Sequence, residues 1–352
     1  MARTTRSSER DEALTRLKAD LKNGEYQNLY VFCGEEAYLR EHYLRMLTGK
    51  LTGGPAGTFN EHRFTSENLT PEALAEAVEA MPMMADWTFV RVDDADFYRM
   101  GAAQCEQYAA VFSDIPEYCC VVLTYDTMEY KPGPERSKLR DVLKKKAFVV
   151  EFQKQSEGEL AKWIYRHFKA AGKDISDQLC RHMIFLTGGD MTALGGEIDK
   201  VAHYCTTPAI AKSDIDAVVT PTLSARSFDI SNAVSAGDYD TAMAKLQELF
   251  ALQEEPVLIL GALSSQLRRV YYAKLIASCG KSQQTLMELA DIKSSYAAGL
   301  AMQAARRVSE QFCARSVEIC FQTDVAMKSS GGEPERLLEL LLAQLAQEAR
   351  NA

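Results

Sequence analysis

The sequence lacks the patterns that mark an exported or membrane-spanning protein. Residues 1–10 carry charges and hydroxyl groups but no apolar segment, so a secretory signal is not expected. No uncharged apolar run approaches the roughly 18 residues that a membrane helix needs. We therefore expect a cytoplasmic protein that has no membrane partner.

The spacings that bind metals are also missing. None of the nine cysteines forms a Cys-x-x-Cys pair, and most lie inside apolar stretches, as Cys119 and Cys120 do. The five histidines are scattered and never form His-Glu-x-x-His. An odd cysteine count without an export signal favours reduced, buried thiols. The sequence thus predicts no metal and no other cofactor.

Length and charge limit the remaining classes of protein. The chain has 352 residues, of which 47% are hydrophobic and 25% are charged, as in soluble globular proteins. A domain typically contains about 100 to 200 residues, so we expect two or three domains. The formal net charge of −9 argues against a protein that binds nucleic acid strongly by itself.

Apolar strands alternate with helical segments in the first part of the chain. This alternation predicts an α/β domain with a parallel sheet and helices on both faces, over residues 1–152. Gly53-Gly54-Pro55 predicts a chain break before the second strand, and Thr70 followed by Pro71 predicts the start of a helix. The predicted strands are 29–33, 59–64, 88–92, 119–124 and 148–152.

The turn after the first strand resembles a phosphate loop that has lost its chemistry. The apolar run 29–33 stops at Gly34, where a nucleotide-binding domain would continue as G-x-x-x-x-G-K-[ST]. Leu39 stands at the second glycine of that motif, and Arg40 and Glu41 replace the lysine and the hydroxyl residue. Two interpretations follow: a nucleotide-binding fold that no longer binds nucleotide, or an ordinary strand-to-helix turn. Neither supplies a catalytic residue.

Acidic residues after the predicted strand 119–124 do not indicate a nucleotide site. A magnesium site would need carboxylates at the end of the strand 119–124. Asp126 and Glu129 follow that strand but do not form an Asp-Glu pair. We interpret both as solvated turn residues.

The connector before the third strand is unusually apolar. Met83 and Met84 lie between the helix that ends near Pro82 and the strand 88–92, where a solvated loop would be polar. One interpretation is that both side chains pack under the sheet. The other is that they form a hydrophobic plug for the pocket of a partner, a role that suits the unbranched and adaptable methionine side chain.

After Gln153 the sequence pattern predicts only helices. Ser156 and Glu159 form a capping box, and a small helical domain is expected over residues 153–221. An all-helical domain follows over residues 222–352, with Gly331-Gly332 as a further break. Its basic residues Arg268, Arg269 and Lys274 stand beside aromatic residues, and Lys328 could join them. Contact with DNA and ordinary surface charge explain this cluster equally well.

Several groups of residues occur in an order typical of one protein family. They are Tyr30-x-Phe32-x-Gly34-Glu35-Glu36-x-Tyr38-Leu39, Leu186-x-x-Gly189-Asp190-x-x-x-Leu194-x-x-Glu197-Ile198-x-Lys200, Phe228, Ala233, Gly237-Asp238, Ala242, Leu246 and Asp324-x-x-x-Lys328. With this order and spacing, the sequence resembles the AAA+ clamp-loader subunits, and within them the delta-subunit family of bacterial DNA polymerase III. The resemblance covers nearly the whole chain.

The resemblance implies a function in DNA replication without a catalytic site in this chain. Members of the family bind the beta sliding clamp and help to open it, using a hydrophobic pair that corresponds by position to Met83 and Met84. This pair differs from the Leu-Phe type that is common in the family. The resemblance also implies a C-terminal collar with the other loader subunits, which are ATPase subunits of gamma or tau type and a delta prime type subunit. Together they would enclose primed DNA.

Two other functions fit the sequence less well. The first is an AAA+ ATPase with an unorthodox phosphate loop, which the residues 39–41 disfavour. The second is a helical scaffold unrelated to replication. Nucleotide binding by the isolated protein distinguishes the first from a clamp-opening subunit, and binding to the clamp distinguishes the second.

Overall fold

The computed structural model of the chain describes residues 2–53, 57–329 and 332–351. It divides into two compact units, residues 1–154 and residues 155–352. The breaks that the sequence predicts at Gly53-Gly54-Pro55 and Gly331-Gly332 lie partly outside the described residues. The predicted boundary between residues 221 and 222 falls inside the second unit and stays a prediction.

The first unit contains a parallel sheet, as the sequence predicts. Its strands are in the order β2-β3-β4-β1-β5, and every neighbouring pair is parallel. Val31 in the interior strand β1 lies opposite Leu123 of β4 on one side and Val149 of β5 on the other. The strands in the described residues are β1 (Leu29–Cys33), β2 (Glu61–Phe64), β3 (Thr88–Asp93), β4 (Cys119–Thr124) and β5 (Phe148–Glu151).

Helices cover both faces of this sheet. The helices in the described part of this unit are α1 (Ala2–Asn23), α2 (Ala37–Leu51), α3 (Pro71–Glu79), α4 (Ala102–Ser113) and α5 (Lys138–Lys146). Helix α1 begins at Ala2, earlier than the amphipathic pattern of the sequence, which starts at about residue 11. Thr70 caps α3, because its hydroxyl accepts a hydrogen bond from the Ala73 amide at 3.1 Å. A 3-10 turn at Gly57–Asn60 replaces the predicted start of the second strand, which begins only at Glu61.

Successive residues of β1 point to opposite faces and so contribute to two apolar clusters. Leu29 and Val31 pack with residues of α3, α4 and α5. Tyr30 and Phe32 pack with residues of α1 and α2 on the other face. Because every residue of β1 is buried, its sequence is a continuous apolar run and does not alternate.

The second unit is helical in its described residues. Its helices are α6 (Glu157–Ala170), α7 (Asp177–Thr187), α8 (Met191–Tyr204), α9 (Lys212–Val218), α10 (Leu223–Ala236), α11 (Tyr239–Ala251), α12 (Pro256–Ser278), α13 (Gln283–Leu289), α14 (Ser295–Ala305), α15 (Glu310–Ser329) and α16 (Pro334–Asn351). The capping box is confirmed at the start of α6, where the Ser156 hydroxyl and the Glu159 carboxylate each accept from the other residue's amide.

A buried carboxylate joins the first helix of this unit to α14. Glu157, whose side chain is 9% exposed, accepts hydrogen bonds from the Ser294 hydroxyl at 2.5 Å and from the Ser295 amide at 2.9 Å. It also accepts from the Ser295 hydroxyl at 2.7 Å and pairs with Arg181 at 3.0 Å. Burial alone would raise the pKa of Glu157, but these hydrogen bonds together outweigh burial and hold the pKa below its ordinary value.

The described residues also bear on the predicted cysteine state and on membrane and metal binding. Eight of the nine cysteines are buried free thiols, as predicted, and Cys279 is an exposed one. Burial raises the pKa of the Cys119 thiol to about 12. No helix in the described part of the chain combines the length and apolar composition that a membrane span requires. Within the same residues, no three His, Cys, Asp or Glu side chains are grouped as metal ligands.

Candidate functional site

The degenerate phosphate loop is closed by backbone contacts with the end of β5. Gly34 follows β1 with φ +111°, a conformation that favours glycine. The Phe152 amide donates to the Cys33 carbonyl at 2.7 Å, and the Phe152 carbonyl accepts from the Glu36 amide at 3.0 Å. A Cβ atom on Gly34 would lie 2.3 Å from the Phe152 carbonyl oxygen. The glycine thus serves close packing of two backbone segments.

The Arg40 side chain is turned into the protein at this loop. Arg40 is 5% exposed and donates from its guanidinium to the Gly34 carbonyl at 2.8 Å. The same guanidinium pairs with the Asp126 carboxylate just beyond β4. Burial lowers the pKa of Arg40, with the negative charge of Asp94 acting in the opposite direction. The cation at the position of the phosphate-loop lysine is thus bonded within the protein, to the loop backbone and to the exposed carboxylate of Asp126.

The structure corrects the interpretation of Asp126 and places the other residues of this loop. Asp126 is an exposed turn residue, but it has the buried Arg40 as a partner and is not merely solvated. Leu39 packs against the apolar cluster on the α2 face of the sheet. Glu41 pairs with Arg91 of β3 at 3.7 Å.

Met83 and Met84 are exposed on the connector between α3 and β3. The exposed fraction is 60% for Met83 and 95% for Met84, and Met81 beside them is also exposed. The interpretation that the pair packs under the sheet is therefore wrong. Met84 has φ +53°, which is unfavourable for a residue with a side chain. The chain thus holds two large apolar side chains in solvent on a strained turn.

The sequence analysis missed Asn60, which holds this connector. Asn60 is 2% exposed and immediately precedes β2. Its side-chain oxygen accepts from the Met83 amide at 2.7 Å, and its side-chain nitrogen donates to the Met83 carbonyl at 2.9 Å. No local pattern could reveal this pairing, because the two residues are 23 positions apart. Phe59, the neighbour of Asn60, is exposed as well.

The connector and the closed loop lie at opposite ends of the strands. Gly34 and Asp126 follow the carboxyl ends of β1 and β4, whereas Asn60 and Met83 precede the amino ends of β2 and β3. All these strands are parallel, so the two groups of residues cannot meet. A surface for a partner at the connector is therefore separate from the turn that follows β1.

The structure does not bring the four predicted basic residues into one open cluster. Arg268 is exposed on α12, whereas Arg269 is half-buried and burial lowers its pKa. Lys274 donates to the carbonyl of Ala305 at the end of α14, at 3.3 Å. Lys328 on α15 pairs with Asp324 at 2.7 Å. Contact of these residues with DNA stays a prediction.

Comparison with known proteins shows what the chain is similar to. Residues 224–345 match the family model that describes the C-terminal domain of the DNA polymerase III delta subunit. The chain is also 25% identical over 331 residues to the DNA polymerase III subunit delta of Bacillus subtilis, and this match covers 92% of the chain and 94% of the relative. The chain is therefore similar to DNA polymerase III delta subunits over most of its length. The predicted resemblance is confirmed.

Two further proteins with delta-subunit descriptions also match the chain. A probable DNA polymerase III subunit delta of Aquifex aeolicus is 23% identical over 178 residues, which are 50% of the chain and 51% of that relative. The solved structure of the DNA clamp loader delta protein of Bacillus subtilis matches with a TM-score of 0.56 and 23% identity. That match covers 95% of the chain and 99% of the solved chain, and it confirms the predicted fold class.

Proposed function

We propose that this chain is a non-catalytic clamp-loader subunit that binds the beta sliding clamp through Met83 and Met84 and promotes its opening. The observation that carries the proposal is the exposure of both methionines on a turn that Asn60 holds from within the fold. Large apolar side chains displayed in solvent beside one another mark a surface that a partner covers. The relatives are described as a DNA polymerase III subunit and a DNA clamp loader protein.

The two methionines supply enough free energy to matter at such an interface. Burying a methionine side chain contributes about 1.5 to 3 kcal/mol, before the cost of ordering the interface is subtracted. Methionine is unbranched and fits pockets of different shape, so this pair can replace a Leu-Phe type pair. If the clamp binds the pair more tightly in its opened state, the subunit shifts the clamp toward opening.

Hydrolysis of ATP is assigned to other subunits in this proposal. Arg40 and Asp126 are bonded to each other at the closed loop, and this pairing argues against the alternative function of an ATPase with an unorthodox loop. The ATPase subunits of gamma or tau type and the delta prime type subunit would complete the loader around primed DNA. Exposed apolar side chains on helices of the C-terminal domain support association there, and they are Leu258, Phe321, Val325 and Leu340.

The experiment that tests the proposal removes the plug and measures clamp binding. We expect Met83→Ala combined with Met84→Ala to weaken binding to the beta clamp by roughly 30- to 150-fold. That loss corresponds to about 2 to 3 kcal/mol, because the lost burial is partly offset by lower ordering costs. Isothermal titration with the purified clamp of the same bacterium measures the affinity, and circular dichroism checks that the variant is folded.

A matched control makes the same chemical change elsewhere. Met46 on α2 and Met128 after β4 are also partly exposed, and their double alanine variant should bind the clamp as the parent does. Unchanged affinity of the folded Met83/Met84 variant would refute the proposed contact. Equal losses in both double variants would show that the connector has no special role.

A further inference from the structure

We infer that Asn60 is a positioning residue for the clamp contact and fixes the Met83–Met84 turn in its binding conformation before the clamp arrives. The inference rests on the proposed function, since it concerns how the same surface is prepared. Asn60 itself is 2% exposed and so lies beneath the surface that the partner would cover. Its influence on binding would act entirely through the backbone of Met83.

The contact between Asn60 and Met83 has the form of a backbone pairing made by a side chain. The Asn60 side chain has an oxygen that accepts and a nitrogen that donates. Both atoms bond to the Met83 backbone, at 2.7 and 2.9 Å. These two bonds also fix which end of the amide carries the oxygen, because the Met83 amide can only donate and its carbonyl can only accept. Two bonds to the same residue hold the Met83 backbone in both position and orientation.

Burial makes this hold effective. Water does not compete well for hydrogen bonds within a site that is nearly closed to solvent, and an unmade bond there leaves a polar group without a partner. A second hydrogen bond ties the base of the connector, where the Thr88 hydroxyl donates to the Ala80 carbonyl at 2.8 Å. The connector is therefore pinned on both sides of Pro82, at Ala80 and at Met83.

The next residue shows why such pinning is needed. Met84 has φ +53°, and a residue with a side chain adopts this conformation only where the surrounding structure determines it. Because Met84 is 95% exposed, packing of its side chain does not supply that constraint. Met83 directly precedes Met84, and the two hydrogen bonds between Asn60 and the Met83 backbone can supply this constraint.

The consequence for binding is a smaller ordering cost. A turn that already has its bound conformation loses less conformational freedom when the partner closes over it. A variant at Asn60 would keep both methionine side chains and lose only this advantage. Its affinity for the clamp should fall even though no contact atom has been removed.

The test compares Asn60→Ala with the parent by two measurements. Titration with the beta clamp, at a temperature well below the unfolding transition, should show affinity weakened by roughly tenfold. Hydrogen exchange of the free protein, read by mass spectrometry, should show faster exchange of the amide of Met83, which donates to Asn60 in the parent. Unchanged affinity would overturn the inference, and so would unchanged exchange.

Asn60→Asp adds a measurement that a general loss of stability does not reproduce. The ionised carboxylate still accepts from the Met83 amide but cannot donate to the Met83 carbonyl, so affinity should be low at pH 8. The protonated carboxyl group both accepts and donates, as the asparagine amide does. Burial should raise the pKa of an aspartate at this position, which is nearly closed to solvent, so the affinity gap between this variant and the parent should narrow as the pH falls from 8 to 5.5. A gap independent of pH would contradict the inference, even where Asn60→Ala fails to fold.

Asn28 provides the matched control. Its side-chain nitrogen donates to the carbonyls of Pro116 and Cys119, so it also braces the backbone at the amino ends of strands, but it precedes β1, three strands away from β2. Asn28→Ala should lower stability and leave clamp affinity unchanged, and an equal loss of affinity would overturn the inference. If the Met83/Met84 variant binds normally, the proposed function fails. If that variant loses binding and Asn60→Ala does not, only the positioning role fails.

Discussion

Gly34→Ala is expected to lower the free energy of unfolding of the first unit by about 4 kcal/mol or more. The new Cβ atom would lie 2.3 Å from the Phe152 carbonyl oxygen, and the obstacle is backbone that hydrogen bonds hold in place. The φ of +111° adds strain for any residue with a side chain. Either β1, an interior strand, or the end of its neighbour β5 must move.

Urea unfolding monitored by tryptophan fluorescence measures this loss. The sequence has two tryptophans, so a Trp163→Phe background leaves Trp87 as the reporter of the first unit. Gly24→Ala is the matched control, since Gly24 has φ +78° but a Cβ atom added there would meet no atom within 4 Å. We expect it to cost about 1 kcal/mol, from the conformation alone. Equal losses for the two variants would disprove the close approach at Gly34.

Glu157→Ala is expected to destabilise the second unit by about 3 to 4 kcal/mol at pH 7. The substitution removes one of the two carboxylates that pair with Arg181, which keeps Asp177, and it leaves the amide of Ser295 and two hydroxyl groups without their acceptor. Leaving a buried donor without a partner costs about 1 to 3 kcal/mol, and several donors are affected here. Urea unfolding in a Trp87→Phe background, in which Trp163 reports on this unit, measures the loss.

The pH dependence of the parent and the variant provides a second test of the Glu157 site. Hydrogen bonds hold the pKa of Glu157 below its ordinary value in the folded protein. A depressed folded pKa gives stability that is fully present above the unfolded pKa and is lost as the pH falls through the folded pKa. The stability difference between parent and Glu157→Ala should therefore shrink on acidification below the ordinary glutamate range. A difference that stays constant there would contradict this assignment.

Glu159 is the control on the same helix. It is exposed and belongs to the capping box of α6, so Glu159→Ala should cost only about 1 kcal/mol. A cost as large as that of Glu157→Ala would show that helix capping, and not the buried contact with α14, accounts for the loss.

The features that the sequence predicts correctly depend on neighbouring residues. The capping box at Ser156 and Glu159 spans three residues, and the strand Cys119–Thr124 is a continuous apolar run ended by polar residues. Glycine at position 34 marks a turn because its conformational freedom is a local property. Patterns of this length are visible without any knowledge of the tertiary structure.

The features that the sequence could not predict join distant positions. Asn60 and Met83 are 23 residues apart, Arg40 and Asp126 are 86 apart, and Glu157 contacts Ser295 at a separation of 138. Arg40 and Glu157 stand in line with the apolar faces of α2 and α6, but a charged residue at such a position does not reveal which distant residue it contacts. The sequence also did not determine whether Met83 is exposed, since the same apolar connector could have packed inward.

Because the strands are parallel, the residues at their amino ends and those at their carboxyl ends form two separate regions of the domain. A strand of five residues spans about 17 Å, so the closed loop and the methionine turn share no side chain. The turn after β1 can therefore change in sequence while the methionine turn at the other end of the strands is under separate selection. Protein engineers can likewise vary residues 59–84 without altering residues 34–41.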